Sequence, residues 1–323
     1  GGRSMDAASK ERNAARGGAV RRGPVERVRV ALGISRQEVT AILFILPMMT
    51  MLTAFLLIPT VAAFSLAFQD WAVGGVRPNQ WVGFGNYARM AQEWRFWNSL
   101  RVTSIYAAGM VVFPYALALP LALFMNMKIK GRTLYRTLFF LPVVTPVSAA
   151  GLVFVFLFNT DFGIVNAALV SLGLIGTPIS WLGRAGTAIP TTLTMIVWSI
   201  AGFNAITLLA GLQVITDDIV EAATLDGATR WPLFRYITLP MLKPASVVVV
   251  NFGLVGAFKV FGEIYVMTQG GPAKATEVLG LYLYENAFHY WQLGYATAVG
   301  TVIFAICLIV QAVMSRLGRV DWR

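Results

Sequence analysis

The sequence contains few charged residues and almost no cysteine or histidine. Only 13% of its 323 residues are charged, whereas soluble domains usually carry about 25%. The single cysteine, Cys307, cannot form a disulfide within the chain, and only His289 accompanies it as a possible ligand for a soft metal. We therefore predict no metal site, and the low charge argues against a soluble globular enzyme.

Apolar residues make up 57% of the chain and fall in long runs. A helix needs about 20 mostly apolar residues to cross a bilayer. Stretches that meet this requirement lie at 41–67, 100–125, 138–158, 187–211, 245–267 and 295–315. The sequence therefore predicts an all-α membrane protein with six transmembrane helices, several of which contain proline.

Lysine and arginine are unevenly distributed between the two sides of these predicted helices. Of the 26 basic residues, nineteen fall in residues 1–40, in the loops after the second and fourth helices, and in the tail. Six fall on the other side. Because basic residues favour the cytoplasmic side, both termini are predicted to be cytoplasmic. This distribution accounts for most of the net charge of +11, so a nucleic-acid partner is not required.

The remaining segments differ in composition from the predicted transmembrane domain, 37–316. Residues 1–36 are basic and poor in large apolar groups, which predicts disorder up to about Arg22 and attraction to anionic lipid. Residues 317–323 form a short predicted cytoplasmic tail. The external segment 69–97 is rich in Trp and Tyr, which either lie at the membrane interface or contact a soluble partner.

No G-x-x-x-x-G-K-[ST] phosphate-binding loop occurs in the sequence. We therefore expect no nucleotide hydrolysis by this chain and assign no catalytic residue. Acidic residues are also scarce in the predicted spans, where only Glu263 is found. An ion-coupled secondary carrier would need such acids and usually internal repeats, so that class is only a remote alternative.

Residues 216–244, TDDIVEAATLDGATRWPLFRYITLPMLKP, are predicted to form a helix–turn–helix in a cytoplasmic loop. Thr216 can cap the first helix, and Gly227 suits the break after it because glycine adopts left-handed geometry easily. Pro232 suits the first turn of the second helix, and Pro244 the entry into the fifth span. The apolar residues of the first helix cannot be buried within one hairpin. That helix therefore either docks in a groove of another protein or lies on lipid.

Several short motifs in and around this segment point to a known family. The loop contains Glu221-Ala222-Ala223, Asp226-Gly227-Ala228, Phe234, Ile237, Leu239-Pro240 and Pro244. These residues resemble the EAA loop of bacterial ABC-importer permeases. Looser motifs at 82–87, 209–213, 268–272 and 294–298 are similar to the carbohydrate branch of that family, and to its MalF-like membrane subunit.

The resemblance implies a type I ABC-importer permease fold with an EAA coupling helix, located in the bacterial inner membrane. The chain would form half of a heterodimeric pore with a MalG-like second permease subunit. Two ATPase subunits, which bind ATP and Mg²⁺, would dock on the EAA loops, so no cofactor is expected on this chain. An external solute-binding protein would deliver an oligosaccharide or disaccharide. The expected ATPase-coupling residues are Glu221, Ala222, Ala223, Asp226, Gly227, Ala228, Leu239 and Pro240.

The predicted fourth and fifth spans contain the candidate substrate path. Lys259 and Glu263 are four residues apart and are expected on one helix face, either as a structural ion pair or beside the sugar path. Trp198, Phe203 and Asn204 offer aromatic faces and an amide of the kind that grip sugars. Helix packing is the alternative role for each of these three.

Lys259 also leaves a second substrate class open. A cationic residue in the path would favour an anionic solute, so an importer of glycerol phosphates or their esters is the alternative function.

Overall fold

A computed structural model describes residues 35–71, 79–127 and 130–317. The predicted disordered segment up to Arg22 and the tail after residue 317 lie outside the described residues. The chain divides into two units, 1–62 and 63–323.

The described chain is almost entirely helical. Its helices are α1 (Arg36–Leu52), α2 (Ile58–Leu66), α3 (Gly85–Gln92), α4 (Trp94–Asn126), α5 (Arg132–Phe140), α6 (Val147–Leu157), α7 (Ile164–Ser171), α8 (Ala185–Leu212), α9 (Asp217–Leu225), α10 (Arg230–Leu233), α11 (Leu239–Met241), α12 (Lys243–Lys259), α13 (Gly262–Met267), α14 (Leu279–Tyr284) and α15 (Leu293–Leu317). Turns of π-helix span Thr53–Leu57, Phe234–Thr238 and Glu285–His289, and a 3₁₀ turn spans Leu141–Val144. The strands β1 (Gln69–Asp70) and β2 (Gln80–Trp81) form one antiparallel pair.

Within these ranges, four helices are long and apolar enough to cross a bilayer. They are Thr40–Leu66, Trp94–Asn126, Ala185–Leu212 and Leu293–Leu317. Two bent pairs can each form one further span: Arg132–Val144 with Val147–Leu157, and Arg230–Met241 with Lys243–Lys259. The predicted helical membrane class is therefore confirmed, whereas the count of six spans stays a prediction.

The two bends have local causes in the sequence. The first pair turns by 95°, where Pro142 lies in the 3₁₀ turn and Pro146 precedes α6. A proline lacks the backbone donor and disfavours helical geometry in the residue before it, so the predicted span at 138–158 breaks here. The second pair turns by 62° at Leu242, and Pro244 lies in the first turn of α12.

Helix α4 packs against both α8 and α12 in the second unit. Small residues permit close approach: a Cβ at Gly253 would lie only 2.9 Å from the Met110 carbonyl oxygen. Hydrogen bonds tie the same helices together, from Tyr115 to Ser246 at 2.8 Å and from Tyr106 to Thr192. These three helices form the frame that positions the loops at both ends.

Asn86 and Tyr87 fasten the segment 79–97 to residues 67–69 and to α15. Asn86 is buried and donates to the carbonyl oxygens of Ala67 and Gln69, at 2.9 and 3.0 Å. Tyr87 bonds to Thr301 of α15 at 2.8 Å. The aromatic side chains of this segment are unequal in exposure, since Tyr87 is half-buried and Trp81 is 68% exposed.

Candidate functional site

The predicted helix–turn–helix is present, and Gly227 makes its break. Helix α9 ends at Leu225, and Gly227 follows with a φ of +85°, a geometry that glycine adopts without strain. Pro232 lies in the first turn of α10, as predicted. Thr216 occupies the N-cap with extended backbone, but its side chain makes no capping hydrogen bond. The predicted side-chain cap is therefore wrong.

The first helix of the loop presents an exposed face and hides one small residue. Glu221 and Ala222 are exposed, and Leu225 is 83% exposed, although it is apolar. Ala223 is buried, and its carbonyl oxygen accepts a 2.9 Å hydrogen bond from the backbone of Ala228. The hairpin thus closes on Ala223 and leaves the opposite face open, as a surface that docks on another molecule requires.

The other predicted coupling residues flank this face. Asp226 and Gly227 are exposed in the turn, and Ala228 is half-buried behind them. Further along, Leu239 is half-buried and Pro240 is exposed in α11. The motif residues at 221–228 and those at 239–240 thus lie on consecutive segments of one loop.

A buried joint connects the loop to the membrane frame. Leu242, at the bend between α11 and α12, is fully buried among Leu208, Leu212 and Val249. A Cβ at Gly211 would lie 2.7 Å from Ala245, so α8 and α12 are in close contact beside the joint. The loop is therefore connected to α8 and α12 through tightly packed side chains.

The three predicted path residues on α8 do not converge on one site. Trp198 packs against Phe154 of α6, with ring centroids 5.5 Å apart. Phe203 packs edge-on against Phe252 of α12, also at 5.5 Å. Asn204 is only 3% exposed. Trp198 and Phe203 are five positions apart on α8, so their side chains point in directions about 140° apart around the helix axis. They therefore contact different neighbours.

Lys259 and Glu263 do not lie on one continuous helix, so that expectation was wrong. Helix α12 ends at Lys259, the backbone at Val260 is extended with ψ of 126°, and α13 begins only at Gly262. Neither side chain forms a salt bridge in the described part of the chain. Because the helix is interrupted, the four-residue spacing no longer brings the two groups together.

Sequence reasoning missed a cluster of four charged residues at the opposite end of the frame from the loop. Arg95, in the first turn of α4, bonds to Glu277 and Glu285. Lys274 bonds to the same two carboxylates at 3.0 Å. Glu277 is fully buried, and Ser99 donates a further hydrogen bond to it at 3.3 Å.

Each charge in this cluster is stabilised by the others. Burial would lower the pKa of Lys274, but its hydrogen bonds to Glu285 and Glu277 outweigh burial and raise it. Burial would likewise raise the pKa of Glu285, but the bonds from Lys274 and Arg95 lower it. Neighbouring opposite charges thus keep these groups ionised. Sequence analysis counted Arg95 and Lys274 only as topology signals. Arg95 is far along the chain from both acids, whereas Lys274 and Glu277 are three residues apart, and this spacing was the one local signal for the cluster.

The segment 268–278, which carries Lys274, folds back on itself. Thr276 bonds to the Thr268 hydroxyl and to the Gly271 carbonyl oxygen, both at 2.8 Å. Asn98 of α4 holds the Lys274 carbonyl oxygen at 2.9 Å. The segment is therefore fixed both internally and to the start of α4.

These features agree with comparisons with known proteins. Residues 114–319 match the family described as binding-protein-dependent transport system inner membrane component. This match covers well over half of the chain, and the chain belongs to that family. It is therefore a transport permease subunit, an inner membrane component of an ABC transporter.

Relatives in the carbohydrate branch confirm the more detailed resemblance. The trehalose/maltose transport system permease protein MalF of Thermococcus litoralis is 32% identical over 287 residues, 88% of this chain and 95% of that protein. The lactose transport system permease protein LacF of Rhizobium radiobacter is 34% identical over 278 residues, 85% of this chain and 92% of that protein.

A solved structure supports the fold. It is a bacterial ABC transporter involved in the import of the acidic polysaccharide alginate, with a TM-score of 0.77 and 23% identity. The match covers 89% of this chain and 98% of that chain. At this identity the likeness shows the type I importer permease fold alone.

Proposed function

We propose that the chain is the MalF-like permease subunit of an ATP-driven importer for an oligosaccharide or disaccharide. The observation that carries the proposal is the exposed face of α9, joined through buried Leu242 to the helices α8 and α12. The relatives with sugar-transport names support the substrate class. In this proposal six spans cross the inner membrane and both termini are cytoplasmic, as the distribution of basic residues favours.

The proposed machine needs four partners in addition to the lipid bilayer. A MalG-like second permease subunit completes the pore, and two ATPase subunits dock on the two EAA loops and bind ATP and Mg²⁺. A solute-binding protein delivers the sugar from outside. Glu221, Ala222 and Leu225 lie on the exposed face and would contact an ATPase subunit, whereas Ala223 holds the hairpin closed.

The mechanism follows from the packing between the loop and the frame. When the ATPase subunits close on ATP, they displace α9 and α10, and the buried joint at Leu242 transmits this displacement to α8 and α12. These two helices hold the candidate path residues Trp198, Phe203, Asn204 and Lys259, and Glu263 follows on α13. Their movement would expose the path alternately to the two sides of the membrane.

Uptake measurements in cells test the proposal. A strain lacking this chain should lose uptake of at least one of labelled maltose, trehalose, lactose and arabinotriose, and the wild-type chain should restore it. Purification of the tagged chain in mild detergent should recover an ATPase subunit and a different permease subunit. Normal uptake of all four sugars in the deletion strain, or recovery of the chain without an ATPase, would contradict the proposal.

A specific observation keeps the anionic solute as a second candidate. Lys259 is exposed at the end of α12 and forms no salt bridge within the described chain. A Lys259→Gln variant should lose uptake of labelled glycerol 3-phosphate if the solute is a phosphate ester, and should retain uptake of a neutral sugar otherwise. Unchanged rates for both solutes would remove Lys259 from the path.

A further inference from the structure

An open cavity of about 430 Å³ lies beyond the end of α12 that is remote from the coupling loop. Its lining comes from α13, from the segment 268–278, and from α14 with the π-turn that follows. The volume falls within the range of about 300–1,000 Å³ that is typical of small-molecule sites. No role in coupling accounts for this cavity, because the coupling loop joins the frame at the opposite end of α12.

Aromatic rings dominate one side of the cavity. Tyr265 and Tyr284 meet at a centroid distance of 5.4 Å, and Tyr284 and Phe288 at 5.2 Å. Tyr265 is 43% exposed and Phe288 58% exposed, so ring faces remain accessible after this packing. A tyrosine combines such an apolar face with a polar hydroxyl, and it therefore suits a ligand that has both kinds of surface.

Polar groups also line the cavity, and their charges cancel. Lys274 and Glu285 both line the cavity and bond to each other at 3.0 Å. Gln269 and His289 belong to the same lining. The cavity thus offers donors and acceptors whose ionic groups are already paired, and an added anion or cation would have to compete with an existing salt bridge.

We propose that this cavity is a sugar-binding site at the outer end of the permease, separate from the predicted path on α8 and α12. A sugar ring has an apolar face of C–H groups and an edge of hydroxyls, which match the aromatic rings and the polar groups of the lining respectively. The paired charges favour a neutral sugar over an anionic one. The site would hold the sugar after release from the solute-binding protein and before entry into the path. This inference rests on the proposed function, because it assumes a sugar importer.

Photo-crosslinking tests the site directly. Phe288 is replaced by p-benzoylphenylalanine in the complete importer, reconstituted with its solute-binding protein in liposomes. The probes are ¹⁴C-labelled maltose, trehalose, lactose and arabinotriose, each illuminated separately. We expect the transported sugar to label this chain. The control carries the same photoreactive residue at Trp94, a 61% exposed side chain that does not line the cavity, and should remain unlabelled.

Transport by substituted importers provides the second measurement. Phe288→Ala removes a flat apolar face from the cavity, and we expect uptake to fall roughly two- to tenfold. Phe288→Trp, which keeps a flat ring, should restore most of the rate, and Trp94→Ala should match the wild type.

The outcomes separate this inference from the proposed function. If the wild-type importer transports none of the four sugars, the sugar assignment fails and the site fails with it. If it transports a sugar but that sugar does not label position 288, or Phe288→Ala transports it normally, only the site is overturned. Crosslinking of position 288 to the solute-binding protein or to the second permease would also overturn the site, because a protein would then fill the cavity.

Discussion

Arg95 and Glu277 are joined by hydrogen bonds across 182 positions of sequence. The arginine lies in the first turn of α4, and the glutamate lies near the end of the segment 268–278, which follows α13. Because Glu277 is fully buried, its charge has no contact with water and depends on Arg95, Lys274 and Ser99. This connection closes the end of the frame that is remote from the coupling loop, where the proposed sugar site lies.

Loss of the buried carboxylate should destabilise the protein. Glu277→Gln weakens the charge-assisted hydrogen bonds from Arg95 and Lys274, which are worth about 1.5–3 kcal/mol, and leaves both cations to pair with Glu285 alone. Thermal unfolding of the purified chain in detergent should show a lower Tm. The matched control is Glu221→Gln, at an exposed position, which should leave Tm unchanged. A Tm for Glu277→Gln equal to that of the wild type would mean that the cluster contributes nothing to stability.

The cluster should make stability sensitive to acid but not to mild alkali. The pKa of Glu285 is lowered in the folded protein, so as pH falls the unfolded chain protonates this carboxylate first. The free energy of unfolding therefore decreases once the pH falls below 4.5, the ordinary pKa of the group. The pKa of Lys274 is raised, so its contribution is lost only above its ordinary value of 10.5.

A series of Tm measurements from pH 4 to pH 9 checks this dependence. We expect a nearly constant Tm in the neutral range and a fall at the acid end. In Glu285→Gln the acid fall should be smaller, because the amide does not titrate. An identical acid profile for the two proteins would show that other groups cause the fall.

The packing of α4 against α12 should tolerate no side chain at Gly253. In Gly253→Ala the added methyl would lie 2.9 Å from the Met110 carbonyl oxygen, which belongs to the backbone and cannot move aside. Overpacking of this kind costs about 1–3 kcal/mol. Gly256→Ala is the matched control on the same helix, since its methyl would meet only the flexible end of Met110 at 3.5 Å. Equal Tm values for the two variants would contradict the close packing of α4 and α12.

Much of this architecture follows from local features of the sequence. The apolar runs are long enough to indicate the helices, and Gly227 and Pro232 mark the hairpin correctly because their backbone preferences act within one or two residues. The bend before α6 has the same kind of cause in Pro142 and Pro146. Such constraints act at the position that carries them and can therefore be read without the fold.

Other features depend on contacts between distant parts of the chain. The break after Lys259 lies in an apolar stretch without proline, and the spacing to Glu263 wrongly indicated one helix face. The charged cluster unites residues near 95 with residues near 280, which no local pattern connects. Trp198 and Phe203 share one helix but have different neighbours, and those neighbours are set by the packing of three helices.

The most direct test of the proposed coupling is site-directed crosslinking from α9. Leu225→Cys is introduced in a Cys307→Ser background, so that the only thiol lies on the exposed face of the loop. A thiol-to-amine crosslinker is then applied to native membranes that contain the whole importer. Trp94→Cys in the same background places a thiol at the opposite end of the frame as the control. We predict that Cys at position 225 captures the ATP-binding subunit and that Cys at position 94 does not. Capture of that subunit from position 94, or its absence from the products of position 225, would contradict the account.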